Sequence, residues 1–506
     1  MPSDLVHMKK TGPSHWAERL ADEVIAKKEE PYVVTGGMTT SGPAHLGTVC
    51  EFLFPDMVRR ILERRGKKVM FYFIGDIMDA FDSIPFSLKD KEEMLAPHLG
   101  KPLCYVPSPD GKARSYGDYF LEQAEYLMKI FGAKTDTVRV NELYDNGVFD
   151  RYAELFFEKI EITRRIVEKT SGRHLPKDWS PIMPICKKCG KIATTRVLSY
   201  NSQNGWYEYS CDKDAGYTKG CGFSGKAKLS DHRYKLQWRL HWPSWQDYFK
   251  TSIEGGGVDH FTRGGSWDTA KEVHKHVFGK EPPIGYKYGF ILFEGKKYSK
   301  SKGVGMGMME IVKLVPPEVI AYTLIKSDLQ ENIDFVPSKE NVLKMVEDYE
   351  YASKLTEPEE KADIKKKASY ELAGKRGWRA EFRDVLLYYQ VYRDWGKVEK
   401  FLGSVEYVKP FIEQWVAKDF VPETYDFAYR PKKATGKVRE FFESLKEGMN
   451  DVEIHNAVYE FARKNSIEPQ EFFKQLYQAL IGKDRGPKAG RLIEILGVGR
   501  IKKDVL

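Results

Sequence analysis

The segment from Tyr32 to Leu62 limits the fold of this chain more than any other. Tyr32-Val33-Val34 is a short apolar run that predicts a buried strand. It opens into Thr35-Gly36-Gly37-Met38-Thr39-Thr40-Ser41-Gly42-Pro43, a loop whose glycines let a ligand approach the backbone closely. Beyond Gly47, the residues Val49, Leu53, Val58, Ile61 and Leu62 recur at helical spacing, with Pro55 expected to start the helix late or kink it. A further amphipathic helix is predicted from Ser14 to Lys28, ended by Pro31. Strand, glycine loop and helix, in that order, bring backbone N–H groups and a helix N-terminus to a phosphate. The expected fold is α/β, a mononucleotide-binding sheet with covering helices.

A second apolar strand, Val69 to Ile74, runs into Gly75-Asp76-Ile77-Met78-Asp79-Ala80-Phe81-Asp82. Three carboxylates three residues apart lie close together if that turn is helical. At the carboxyl end of a parallel strand they are candidates to accept a cationic ligand group, because an unpaired buried ammonium is costly. Further on, Leu236-Gln237-Trp238-Arg239-Leu240-His241-Trp242-Pro243-Ser244-Trp245 holds three tryptophans that could be core or the flat walls of a site. Gly255-Gly256-Gly257-Val258-Asp259-His260 suits close contact with a ribose, whose hydroxyls Asp259 can accept from. A strand over Ile284 to Phe293 then leads into Glu294-Gly295-Lys296-Lys297-Tyr298-Ser299-Lys300-Ser301-Lys302-Gly303. Lysines in a glycine-flanked loop can meet charge developing on a triphosphate.

At 506 residues the chain exceeds one core, and four segments are expected. Residues 1–84 and 236–337 form the two halves of a catalytic domain. Residues 85–235 interrupt it, and 338–506 form a helical domain joined by a charged connection over Glu357 to Lys367. Within the insertion, Cys186-Lys187-Lys188-Cys189-Gly190 has the spacing of a zinc knuckle. Cys211 and Cys221 are the remaining ligands of a closed structural Zn²⁺ site, with Asp212 or His232 able to stand in for one of them. Six cysteines do not make a disulfide framework, and a reducing cytoplasm fits best. No apolar stretch reaches the length that spans a bilayer, so no membrane partner is expected. The net charge of +8 permits a nucleic-acid partner without demanding one.

Two motifs then combine. Ser41-Gly42-Pro43-Ala44-His45-Leu46-Gly47-Thr48 resembles the HIGH signature of class I aminoacyl-tRNA synthetases, with Thr48 in place of its final His. Lys297-Tyr298-Ser299-Lys300-Ser301 resembles their KMSKS signature, with Tyr298 in place of Met. The loop Thr35–Gly42, the segment Trp238–Pro243, the element Gly257-Val258-Asp259-His260 and Leu480–Gly490 extend the likeness to class I lysyl-tRNA synthetases of the archaeal type. His241 stands where that family usually has Asp.

The resemblance implies a Rossmann-like class I synthetase catalytic domain with a zinc-binding insertion, followed by an all-α tRNA-binding domain. It implies lysine, ATP with Mg²⁺, and tRNA(Lys) as partners. His45, Gly47, Lys297, Ser299 and Lys300 are implied in catalysis. Thr40, Ser41, Gly257 and Asp259 are implied, with His45, Gly47 and Lys300, in holding ATP. Gly37, Thr39, Trp242, His260 and Tyr288 are implied as lysine contacts, with Asp76 or Asp79 taking the ammonium. The rival readings are a class I synthetase for another amino acid such as glutamate, a zinc-dependent RNA-binding protein without catalysis, and a simple nucleotidyltransferase.

Overall fold

The structure, a computed structural model, describes residues 15–297 and 306–506, with only the backbone at Lys297. The chain forms two compact units. The first takes in the described residues up to Ile311 together with Ile320–Val336 and Leu355–Gly374; the second holds Val312–Val319, Pro337–Lys354 and Lys375–Leu506.

The first unit is built on a five-stranded sheet. Strand β1 (Tyr32–Thr39) lies at its centre, followed outward on one side by β2 (Val69–Asp76) and β3 (Asp136–Arg139). On the other side lie the strands Ile253–Gly257 and then Ile284–Tyr288. All neighbours run parallel, with Thr39 opposite Asp76 and Tyr288 opposite Gly257. The chain leaves the sheet in opposite directions on the two sides of β1. A crevice therefore opens at the carboxyl ends of β1 and the strand Ile253–Gly257, the place where such sheets bind ligands.

Helix α1 (Trp16–Lys27) precedes β1, and α2 (Leu46–Arg64) follows it. Pro55 does not start α2 late, since the helix begins at Leu46 and runs through it. Proline at this position leaves the Glu51 carbonyl without its helical donor. That carbonyl faces Gly36 of β1, where a Cβ would lie 2.5 Å from the oxygen and 3.2 Å from the Pro55 ring. The missing side chain lets strand and helix close up around the irregular turn.

Two other expectations are corrected. The strand foreseen over Ile284 to Phe293 is two strands, because the chain crosses at Gly289 to a small three-stranded sheet. The Gly289 N–H donates to the Leu329 carbonyl at 2.7 Å, and a Cβ there would meet the Glu331 carbonyl at 2.3 Å. The charged stretch after Glu357 is largely the helix Lys361–Ala373 of the first unit. Its last carbonyls accept from α2: Arg60 donates to Leu372 at 2.8 Å and Arg64 to Glu371 at 2.6 Å.

The second unit is helical throughout its described length beyond Pro337, from Lys339–Lys354 to Val498–Val505. Its aromatic side chains Phe382, Trp415, Phe441 and Phe472 are fully buried, so helical spacing here reports a core.

Candidate functional site

Helix α2 begins at the His-x-Gly element for a local reason. His45 is its N-cap: Nδ1 accepts from the Thr48 N–H at 3.1 Å, while the Thr48 hydroxyl accepts from the His45 N–H at 3.3 Å. This reciprocal cap satisfies two donors at the helix start. It also gives Thr48 a role, since its hydroxyl closes the cap. The His45 ring folds back over Gly47, where a Cβ would lie 2.6 Å from the imidazole. Any other residue there would displace the histidine.

A cavity of about 400 Å³ lies at the crevice. The β1 loop contributes Gly37 and Thr39, the start of α2 contributes His45, Gly47 and Glu51, and the end of β2 contributes Asp76 and Asp79. The helix Trp238–Phe249 and the glycine run close the other side with Trp238, Trp242, Glu254 and His260. The tryptophans serve as walls: Trp238 and Trp242 stack at 5.6 Å with 13° between planes, and Trp242 meets His260 edge-on at 5.5 Å. His260 is further fixed by Ser266, whose hydroxyl lies 3.3 Å from Nδ1 and accepts from the Trp238 indole at 3.0 Å.

The acidic turn is a tight turn rather than a helix. Ile77 N–H donates to the Gly75 carbonyl and Met78 N–H to Asp76 Oδ1. Asp76 and Asp79 therefore meet, while Asp82 points to solvent. What joins the first two is Lys235, a residue without any role in the sequence motifs. Its side chain is fully buried, and Nζ donates to Asp76 Oδ2 at 2.7 Å and to Asp79 Oδ1. The second Asp79 oxygen accepts from the Thr39 hydroxyl at 2.6 Å. Burial pushes the Asp76 carboxyl up, but Lys235 and His241 outweigh it and hold the group well below the usual carboxylate range. His241 Nδ1 lies 3.5 Å from Asp76 inside an aromatic enclosure of Tyr144, Phe149 and Trp245. Burial lowers its pKa, against the opposing pull of Asp76.

Two more carboxylates line the cavity that the motifs did not reveal. Glu51 sits one turn beyond Gly47 on α2 and accepts from the Tyr288 hydroxyl. Tyr288 does not itself line the cavity and reaches it through Glu51. Glu254, the residue before the glycine run, is fully buried, and desolvation raises its pKa to about 7 despite donation from Gln246 at 2.6 Å. Of the other candidates, Thr40 is buried, and Ser41, Gly257 and Asp259 follow the cavity-lining residues in sequence without lining it. The Lys297 backbone pairs with Leu292 in a hairpin turned at Glu294-Gly295, both at positive φ. The Lys297 side chain, Ser299 and Lys300 lie outside the described residues.

Outside the cavity, Cys186, Cys189, Cys211 and Cys221 bring their sulfurs within 4.8 Å of one another. Cys186–Cys221 and Cys189–Cys211 are each 3.7 Å apart. That separation excludes disulfides and matches tetrahedral thiolates about 2.3 Å from a zinc ion, which sit about 3.7–3.8 Å from each other. The wide spacing of the second pair is taken up by a loop: Cys211 N–H donates to Phe223 and Gly222 N–H to Cys211. Neither proposed stand-in belongs to the cluster. Asp212 forms a two-point ion pair with Arg196, and His232 pairs with Asp150.

A parallel sheet with an His-x-Gly helix cap and an acidic, tryptophan-walled cavity at its switch point is the frame of a class I tRNA synthetase. Residues 14–376 match the family of tRNA synthetases class I (K), and the chain belongs to that family. It is 28% identical over 517 residues to the lysine–tRNA ligase of Thermoplasma acidophilum, covering 96% of this chain and 97% of the relative. It is likewise 28% identical over 518 residues to that of Archaeoglobus fulgidus, covering 97% and 99%. Among solved structures it is similar to a glutamate-tRNA synthetase from Elizabethkingia anophelis, at 15% identity and a TM-score of 0.44 over 94% of this chain and 100% of the other.

Proposed function

We propose that this chain is a lysine–tRNA ligase. The lysine carboxylate attacks the ATP α-phosphorus in line and expels pyrophosphate, leaving lysyl-adenylate. The terminal ribose hydroxyl of tRNA(Lys) then attacks the acyl carbon and expels AMP. A carboxylate needs no general base, so the protein's contribution is positioning and charge neutralisation. His45, at the α2 N-terminus, and Lys297 and Lys300 neutralise the phosphates, with Gly47 keeping His45 in place and Ser299 within the same loop. Mg²⁺ accompanies ATP and offsets phosphate charge. Thr40, Ser41, Gly257 and Asp259 hold the adenosine. Gly37, Thr39, Trp242 and His260 border the amino acid, and Tyr288 acts through Glu51.

The observation that carries the choice of lysine is the acidic cavity. Glu51, Asp76, Asp79 and Glu254 face one space of about 400 Å³, and Lys235, behind the two aspartates, is already engaged by both of them. An amino acid ending in an ammonium is matched to such a space, and glutamate would be repelled by it. Asp79, whose side chain is 33% exposed, is the member of the buried pair that a substrate ammonium can reach. The four-cysteine cluster has the donor set and spacing for Zn²⁺ and is structural, since four thiolates leave no open position. Among the described residues no helix is long and apolar enough to cross a membrane. We assign the protein to the cytoplasm, where such thiols stay reduced, and the helical residues 338–506 to tRNA contact.

ATP–pyrophosphate exchange measured for each of the twenty amino acids, with tRNA(Lys) present, tests the proposal. Exchange with lysine and not with glutamate is expected. Exchange with another amino acid would overturn the lysine assignment while keeping the class.

A further inference from the structure

Lys235 is a buried ammonium that the proposed reaction leaves without a task. It lies in the short strand Tyr234–Leu236, 0% exposed, behind the two aspartates that line the cavity. Keeping a charge there is costly unless it is fully paired, and here it is paired twice. Two carboxylates and one ammonium leave one unit of negative charge. Burial lowers the pKa of His241 beside Asp76, which disfavours a second cation there.

We infer that Lys235 is a positioning residue that sets charge selectivity, neutralising Asp76 so that the cavity floor presents a single negative charge, at Asp79, to a single substrate ammonium. The inference rests on the reading of this cavity as a lysine site. Without Lys235 the two carboxylates share the floor. Like charges so close do not both stay ionised, and the pair retains a proton whose release depends on pH. The floor would then carry close to one negative charge at low pH and close to two at high pH, so its match to a single ammonium would change with pH.

The other titratable groups facing this pair are His241, Tyr144, whose hydroxyl accepts from the Leu236 N–H, and Cys104; across the cavity stand His45, Glu51, Glu254 and His260. They are the same in every variant below.

The test is the ratio of kcat/KM for lysine to that for norleucine, which is lysine without its terminal ammonium. The ratio is measured by ATP–pyrophosphate exchange on the full chain with tRNA(Lys), between about pH 6 and 8. It does not depend on the fraction of protein folded. In the parent the ratio is expected to be high, with only the pH slope that Glu254, at about 7, imparts to every variant. In Lys235→Met it should exceed the parent's at high pH and fall more steeply towards it as pH is lowered, by up to about tenfold per unit beyond the parent's own slope. In the double variant Asp76→Asn/Lys235→Met, which again carries one negative charge, it should keep the parent's pH dependence and stay within about tenfold of the parent. Asp79→Asn, which leaves no net charge, should lose at least about 100-fold of it. A ratio in Lys235→Met with the parent's value and pH dependence overturns the inference. If that variant fails to fold, equal losses in the double variant and Asp79→Asn overturn it instead. Failure of the parent to activate lysine at all would refute the lysine reading rather than the role of Lys235.

Discussion

His45 carries two duties that a single substitution can separate. Its imidazole caps α2 and faces the cavity. Asparagine is as good an N-cap as any residue but brings no imidazole. His45→Asn is therefore expected to keep the thermal midpoint within about 1 °C, a shift worth under about 1 kcal/mol for a unit of this size, and to lower lysine-dependent exchange at least about 100-fold. Equal losses of stability and activity would mean that the cap is all His45 does. Glu254 gives a pH signature. Its folded pKa of about 7 lies above that of an unfolded glutamate. Between about pH 4.3 and 7 the folded protein keeps a proton that the unfolded chain releases, so stability falls as pH rises through that window and levels off above it. The loss is roughly 3 kcal/mol. Melting curves of Glu254→Gln should show a smaller drop from pH 5 to pH 8 than the parent; an unchanged drop would exclude Glu254 as its source.

Single residues also mark what the sequence could not display. Lys235 stands between Tyr234 and Leu236, where alternation along a strand reads as an outward-facing lysine. Only the pairing of that strand with Ile182–Pro184, under the end of β2, turns its ammonium inward. Glu254 was hidden in the same way, by depending on Trp245 and Gln246 of a helix that precedes its strand.

At the scale of elements, the strand–loop–helix unit at Tyr32–Arg64 was legible because each part is local: a short apolar run, glycines, and helical spacing. Pro55 misled as to where the helix starts, because its consequence is tertiary. The Glu51 carbonyl it frees is accommodated by Gly36 on the neighbouring strand. Gly36→Ala should therefore cost at least about 2 kcal/mol, an overpacking effect, and denaturant unfolding will show whether it does. A cost near zero would mean that strand and helix can move apart freely. The cysteine module was legible in its first pair and obscure in its second, where the hairpin between Cys211 and Cys221 supplies the closeness that spacing did not. Elemental analysis should find one zinc per chain. Cys189→Ser should release it to a chromophoric chelator and lower the melting temperature. A zinc-free parent that melts at the same temperature with and without added zinc would contradict a structural metal.

For the whole molecule, the sheet order puts two halves of one site on opposite sides of β1. His45, Glu51, Asp76 and Asp79 come from the first part of the chain, and the tryptophan wall, Glu254 and His260 from beyond Tyr234. The intervening segment with its cysteine cluster ends in the strand that delivers Lys235 beneath Asp76. The fold class could be read from motifs at both ends of this arrangement. The composition of the cavity could not, because its decisive charges meet only after the sheet has closed.

The most direct test of this account is charging of a tRNA(Lys) transcript by the purified full-length chain with ATP, comparing radiolabelled lysine with glutamate. The account predicts lysyl-tRNA and no glutamyl-tRNA, with lysine charging lost in Asp79→Asn. Glutamyl-tRNA formation, or lysine charging undiminished in Asp79→Asn, would contradict it.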